Sequence, residues 1–146
     1  MSQSKLKKLN TVLTVVITLF VFYLGLSFIL FPASQTPGVG LPTWPSGDGG
    51  GFLVMKGIRE FSMGLVLGAL LLTGHRRALG LALLMEAVAP FGDMINVLAH
   101  HGSLAAAFGI HGLTSAFIAV TGALVLRETG RATREAGAPA AAPQLA

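Results

Sequence analysis

The sequence predicts an all-α fold, an integral membrane bundle of four helices, and three observations support this. Of its 146 residues, 53% are hydrophobic and only 11% are charged, whereas soluble domains carry about 25% Asp, Glu, Lys and Arg. The mean hydropathy is +0.73. The apolar residues form four long segments that polar or Gly/Pro-rich connections separate. A chain with so little polar surface cannot cover a water-soluble globule, so the lipid bilayer is its expected solvent and partner.

The four apolar segments predict four membrane-spanning helices within one domain, residues 11–128. They cover about residues 11–31, 52–73, 78–99 and 104–126. A helix of this length reaches roughly 30 Å, which matches the hydrocarbon core of a bilayer. Backbone groups cannot stay unpaired in lipid, so helices are expected rather than strands. Lys5, Lys7 and Lys8 precede the first segment as in a signal peptide, but the apolar run exceeds the usual length of about 7–15 residues, which favours a retained helix.

The distribution of Lys and Arg predicts that both termini are cytoplasmic in a multi-pass protein of the inner or plasma membrane. Basic residues occur in the N-terminal tail (1–10), in the second connection and in the C-terminal tail (129–146), and the other two connections have none. Positive residues concentrate on the cytoplasmic side of membrane proteins. The Ala/Pro-rich C-terminal tail is predicted to be disordered. Nucleic acid is not an expected partner, because no surface combines basic with aromatic residues.

Several classes of function are excluded or disfavoured by composition. The chain has no Cys, which excludes disulfides, thiol redox chemistry and Cys-ligated metals. No cofactor fingerprint or phosphate-binding loop occurs, so no cofactor is expected. The first segment lacks the acidic residue that small multidrug exporters need. The loop charge is also too asymmetric for a dual-topology fluoride channel. A homo-oligomer is left open.

Six ionisable residues lie inside the predicted spans, where each costs about 2.5–3.5 kcal/mol near the bilayer centre. Counting along the helices places four of them about 9–12 Å below the outer boundary, namely Arg59, Glu60, Asp93 and His111. Glu86 lies deeper, at about 20 Å. We therefore predict a polar cluster in the outer half of the bundle, with Lys56 extending to the outer surface.

Two interpretations of this cluster remain open. Buried ion pairs such as Arg59–Asp93 or Arg59–Glu60 can simply specify helix packing. Alternatively, the cluster is a site for a ligand or for acid–base chemistry. In that case the expected catalytic residues are Asp93, His111 and Glu60, and the expected ligand-binding residues are Arg59, Asn96, Glu86 and Thr114. No metal site is expected, since no H-x-x-x-H or E-x-x-H spacing is present.

Small residues and prolines predict how the helices meet. Gly64 and Gly68 form a GxxxG pair suited to close packing. Pro90 is expected to kink the third span one turn before Asp93 and to free a backbone carbonyl. The connection of residues 32–51, with Trp44, is long for a helix connection. It is interpreted either as a cap over the polar cluster or as an anchor at the membrane interface.

Four sequence stretches together resemble a known family. They are FP…GVGLP in the outer connection, KGIREFSMGL in the second span, RRALG…APFGDMINVL in the third and AFGIHGLTSA…LVLRE in the fourth. The pattern resembles the four-helix membrane proteins of domain of unknown function 4267, which are similar in layout to DoxX-like proteins. The resemblance covers about residues 10–128 and implies a site shared by Arg59, Glu60, Pro90, Asp93 and His111. This chain has Glu60 where the family pattern favours Asp, and GVGLP where it favours FGLP.

Three functions are compatible with the sequence. The first is binding of, or catalysis on, a small lipophilic molecule at the polar cluster, and the sequence leaves open whether the chain is an enzyme. The second is an accessory or structural membrane subunit whose buried charges specify helix packing. The third, proton-coupled transport, needs polarity across the whole bilayer, and the cytoplasmic half offers little beyond Glu86.

Overall fold

The computed structural model describes residues 2–44 and 47–136, and their secondary structure is entirely helical, which confirms the predicted all-α fold. The elements are α1 (Gln3–Leu30), α2 (Pro32–Val39), α3 (Gly49–Leu72), α4 (Arg76–Glu86), α5 (Val88–Ala99), a π-helical segment (Ala105–Gly112) and α6 (Leu113–Ala136). Because α4 continues into α5 and the π-helical segment continues into α6, the described residues form four long helical units, which we call rods. The short helix α2 lies between the first two rods.

Three of the four rods are long and apolar enough to cross a membrane, namely Gln3–Leu30, Arg76–Ala99 and Ala105–Gly130. The fourth rod, α3, has a comparable length but carries Lys56, Arg59 and Glu60. Large hydrophobic side chains cover the outside of the bundle, including Leu72 and Leu104. Such an outer surface suits lipid rather than water.

The first and last helices extend beyond the predicted spans, and the start of α1 contacts α6. The Ser2 hydroxyl accepts a hydrogen bond from the Lys5 backbone N–H at 3.4 Å, so α1 begins within the predicted tail of residues 1–10. Helix α6 continues to Ala136, which makes the start of the predicted disordered tail helical; residues 137–146 of that tail lie outside the described residues. The Gln3 side chain donates to the Glu128 carbonyl at 2.9 Å. We call this the terminal end of the bundle, and the opposite end, where α2 lies, the capped end.

Two pairs of glycines let the helices approach closely. A Cβ atom on Gly57 would lie 2.7 Å from the carbonyl oxygen of Gly25, so α3 and α1 cross in backbone contact. A Cβ atom on Gly122 would lie 3.0 Å from the carbonyl oxygen of Gly80, where α6 crosses α4. Gly64 of the predicted GxxxG pair packs against the Phe22 ring instead. The closest crossings therefore use glycines other than the predicted pair.

The third span breaks where Pro90 predicts. Helix α4 ends at Glu86 and α5 begins at Val88, since proline has no N–H to donate to the carbonyl four residues earlier. The nearby carbonyl of Ala87 accepts a hydrogen bond from the Ser115 hydroxyl at 2.8 Å. The break is thus stabilised by α6.

A compact apolar core fills the middle of the bundle. It lies between the polar groups of the two ends and consists of Ile17, Val21, Leu67, Leu79, Leu83, Ala87, Ile118 and Val125.

Candidate functional site

A cavity of about 290 Å³ lies inside the bundle toward the capped end. One wall is apolar and comes from α1, with Phe20, Val21, Leu24 and Phe28. The other elements supply apolar residues such as Val97, Ile110 and Ile118. They also supply all the polar residues of the lining, which we call the polar wall: Gln35, Lys56, Glu60, Glu86, Asp93, Asn96, His111 and Thr114. Six of the seven predicted site residues therefore line one cavity, and Arg59 does not.

Lys56 is the cation of the polar wall. Its ammonium lies 2.8 Å from Asp93 Oδ2 and 3.3 Å from Glu60 Oε1. It also lies 5.8 Å from the centroid of the Phe28 ring, within the range of a cation–π contact. The spacing of Lys56 and Glu60, one helical turn apart, places both on the face of α3 that turns inward. Lys56 therefore connects α3 to α5 at the site.

This pairing corrects two expectations. Lys56 does not extend to the outer surface, and the predicted Arg59 pair with Asp93 or Glu60 is wrong because Lys56 takes both carboxylates. Arg59 lies on the exposed side of α3 and forms no ion pair within the described part of the chain. The orientation of each side chain explains this, because successive residues of a helix point about 100° apart around its axis. Glu60 therefore points to the same side of α3 as Lys56, whereas Arg59 points toward the exposed side.

His111 belongs to the π-helical segment and contacts two elements. Its Nε2 lies 3.1 Å from the carbonyl oxygen of Val39, and its Nδ1 lies 3.8 Å from Asp93 Oδ2. A carbonyl only accepts hydrogen bonds, so Nε2 carries the hydrogen in this contact. Nδ1 is then the nitrogen that faces Asp93. Short π-helical stretches occur frequently at functional sites.

Glu86 has a different environment from the other carboxylates. It is only 8% exposed and lines the cavity at the end of α4, beside the break in the third rod. Among the described residues it forms no hydrogen bond and no ion pair. Burying a carboxyl group without a hydrogen-bond partner costs free energy. A ligand in the cavity could supply the hydrogen bond that Glu86 lacks.

The cap interpretation of the outer connection matches the position of α2. Gln35, Gly38 and Val39 contribute to the cavity wall. Gly40 ends α2 with a φ of +83°, a conformation that favours glycine. Its carbonyl accepts a hydrogen bond from the Ser103 N–H at 2.8 Å. Helix α2 is therefore tied to the start of the π-helical segment and closes the capped end.

An apolar cleft adjoins the cavity between α1 and the start of α6. It has a volume of about 350 Å³ and shares Phe20, Thr114 and Ile118 with the cavity. Leu113 and Phe117 also line it, and both are exposed on the outside of the bundle. The cleft thus lies beside the cavity and faces the apolar outside of the bundle.

Comparison with known proteins identifies the family. A family model described as a domain of unknown function matches residues 18–125. The chain belongs to domain of unknown function family 4267. This confirms the resemblance to that family drawn from the four sequence stretches, whereas the similarity in layout to DoxX-like proteins stays a prediction. No curated protein and no solved structure matches the chain. The match to this family includes every residue that lines the cavity, from Phe20 to Ile118.

A second buried polar cluster, at the terminal end of this family member, was not predicted. Arg76 donates to Glu128 through Nε at 3.1 Å and Nη2 at 2.8 Å, and the Asn10 amide donates to Glu128 Oε2 at 2.8 Å. From its sequence position, Arg76 was interpreted only as a determinant of membrane topology. One sequence pattern could have indicated this cluster: polar residues recur every four positions at Asn10, Thr14 and Thr18, and they lie on a buried face of α1.

The carboxylates and the imidazole of the cavity do not form a metal-binding arrangement. Within residues 2–44 and 47–136, no group of three or more His, Asp or Glu side chains is placed to hold one metal ion. The acidic groups are instead distributed along the polar wall, with Glu60 and Asp93 beside Lys56 and with Glu86 at the end of α4. This arrangement suits hydrogen bonding to an organic molecule or proton transfer.

Proposed function

We propose that this chain is a four-helix membrane protein that binds a small lipophilic molecule in the cavity near its capped end. One observation carries the proposal: an internal cavity has one apolar wall and one ionisable wall in the same bundle. Ligand sites are concave, mostly apolar and equipped with a few polar groups that fix orientation. Ionisable groups within a membrane bundle are a functional site by default.

The inward orientation of Lys56 and Glu60 supports α3 as the fourth membrane span. Both side chains line the cavity, so their charges do not face lipid. Arg59 is exposed, and its long side chain can reach the membrane interface. The terminal end then lies in the cytoplasm, because the basic residues outside the spans belong to that end. This orientation places the cavity in the outer half of the membrane.

The apolar cleft supports a lipophilic rather than a water-soluble ligand. It lies beside the cavity, between Phe20 and Phe117, on a surface that faces hydrocarbon in the proposed arrangement. A molecule dissolved in the bilayer can enter sideways without crossing the polar cap. Thr114 and Ile118 line both spaces, so they lie at the junction through which the ligand passes.

Proton transfer is the chemistry that the polar wall can supply. His111 Nδ1 and Asp93 share a short stretch of the wall, and Glu60 lies on the other side of Lys56. An imidazole beside a carboxylate can take a proton from one position of a ligand and return it to another. We therefore assign any catalysis to Asp93, His111 and Glu60, with Asn96, Glu86 and Thr114 as contacts to the ligand.

The second candidate function is that of an accessory or structural membrane subunit. The buried Arg76–Glu128 pair favours it, because this pair holds α4 and α6 together far from the cavity. Proton-coupled transport has less support than either function, because it needs a polar path across the membrane. The apolar core that includes Leu79, Leu83 and Val125 lies between the two polar clusters and interrupts such a path.

The proposal is tested by what remains bound after purification. The protein is solubilised in a mild detergent, and bound small molecules are extracted and identified by mass spectrometry. We expect about one apolar molecule with a polar group per chain. Thr114→Phe should abolish its retention, because the ring fills the junction of cleft and cavity. Val120→Phe is the matched control, since Val120 lies on the exposed face of α6. Equal retention by both variants would indicate surface lipid only and would contradict the proposal.

A further inference from the structure

We infer that the molecule bound in the cavity carries a positively charged amine on an apolar body. This inference rests on the proposed function and adds the charge of the ligand. The observation behind it is an imbalance: the cavity wall has one ammonium group, on Lys56, and three carboxylates, on Glu60, Glu86 and Asp93. The lining therefore holds more acidic side chains than basic ones.

The single cation of the wall is already neutralised. The Lys56 ammonium contacts Asp93 at 2.8 Å and Glu60 at 3.3 Å, and the Phe28 ring lies under it. Arg59, the other basic residue of α3, points away from the cavity. An anionic headgroup would therefore meet no available positive charge, and it would face the carboxylate oxygens of Glu60 and Asp93.

The remaining capacity of the wall is that of a hydrogen-bond acceptor. Asp93 contacts both Lys56 and His111 through Oδ2, so its Oδ1 remains available to accept a hydrogen bond. Glu60 contacts Lys56 through Oε1, so its Oε2 remains available as well. Glu86 is buried without a partner, and both of its oxygens are available. A protonated amine supplies the donors and the charge that these oxygens lack.

A metal ion would not satisfy this wall, because the described carboxylates do not converge on one point. A protonated amine needs only one or two of them, and its carbon substituents can pack on Phe20 and Leu24 of the apolar wall. The apolar cleft also suits an amphiphilic cation, which enters from the bilayer with its body first. Charge, shape and access therefore favour the same ligand class.

The test compares three probes that share an octyl chain. N,N-dimethyloctylamine is cationic at neutral pH, 1-octanol is neutral and octanoate is anionic. Each is titrated calorimetrically into the full chain in lipid nanodiscs, with empty nanodiscs as the blank for partitioning. We expect saturable binding of the amine at least about tenfold tighter than binding of the other two probes, in line with the strength of a charge-assisted hydrogen bond.

Glu86→Gln should weaken amine binding by about tenfold and leave the affinity for 1-octanol unchanged. Asp48→Asn is the matched control, because it removes the same charge from an exposed position outside the cavity. Asp93→Asn gives a second measurement if Glu86→Gln does not fold. Equal or tighter binding of octanol or octanoate, or unchanged amine binding by both variants, overturns the inference but leaves a lipophile site. No saturable binding of any probe overturns the proposed function as well.

Discussion

The two ends of this bundle use the same residue types in opposite ways. At the terminal end, Arg76 and Glu128 are one cation and one anion in a two-point contact, with their side chains 14% and 6% exposed. At the capped end, Lys56 faces three carboxylates beside a cavity, and the side chains of Lys56 and Asp93 are 31% and 37% exposed. The first cluster pairs one basic with one acidic side chain and is shielded from solvent. The second cluster has more acidic than basic side chains and borders a cavity.

This difference separates a structural clamp from a binding site. A buried ion pair in which each charge meets its counter-ion in a two-point contact fixes helix packing and leaves no charge for a ligand. A wall with unused acceptor oxygens and a neighbouring void is incomplete until something occupies it. Burial of charge alone does not distinguish the two cases, whereas charge balance and available space do.

The largest effect is expected from breaking the clamp. Glu128→Leu leaves Arg76 buried without a counter-ion and should lower the free energy of unfolding by about 3–5 kcal/mol. Arg76→Met combined with Glu128→Leu should recover most of the loss, because no unpaired charge remains. Both are measured by denaturant titration in detergent micelles, followed by helical circular dichroism. Arg77→Met, at an exposed neighbouring position, is the control and should stay within about 0.5 kcal/mol. An unchanged stability of Glu128→Leu would remove the distinction between the two ends.

A smaller loss is expected at the glycine crossings, where the two ends should behave alike. Gly57→Ala near the capped end and Gly122→Ala near the terminal end each force a methyl group onto facing backbone. Each should lower the free energy of unfolding by about 1–3 kcal/mol. Gly92→Ala is the control, because a Cβ atom there meets nothing within 4 Å. If only one crossing is sensitive, packing as well as charge distinguishes the ends.

The smallest change concerns the two basic residues of α3. Lys56→Met leaves Asp93 and Glu60 without their cation, and we expect a loss of about 1–2 kcal/mol, moderated by the partial exposure of the pair. Arg59→Met should stay within about 0.5 kcal/mol. The same titration measures both. A larger loss for Arg59→Met would mean that Arg59 rather than Lys56 pairs with Asp93, as first expected from the sequence.

The sequence was sufficient to predict the all-α fold and most of the polar residues that line the cavity. Segment length and apolar content predicted the helical rods, and Pro90 predicted the break before α5. Counting depth along the spans brought Glu60, Asp93 and His111 together, because helical rise is nearly constant. Each of these features depends on one helix alone, so it can be predicted from the local sequence.

Features that depend on how two helices face each other were not predicted. The choice of Lys56 over Arg59 as the partner of Asp93 depends on the rotation of α3, which the Gly25–Gly57 crossing fixes. The Arg76–Glu128 pair joins residues 52 positions apart across two rods. The π-helical geometry around His111 also has no simple sequence pattern. Each needs tertiary packing to be specified.

A crystal structure of the full chain, grown from a lipidic mesophase with its copurified molecule, tests the central claim most directly. The account predicts non-protein density inside the cavity, against the Phe20 and Phe28 rings and within hydrogen-bond distance of Glu86 or Asp93, while Arg76 and Glu128 stay paired without any ligand. A closed cavity without density, in which Arg59 or another basic side chain of this protein pairs with Glu86, would contradict it.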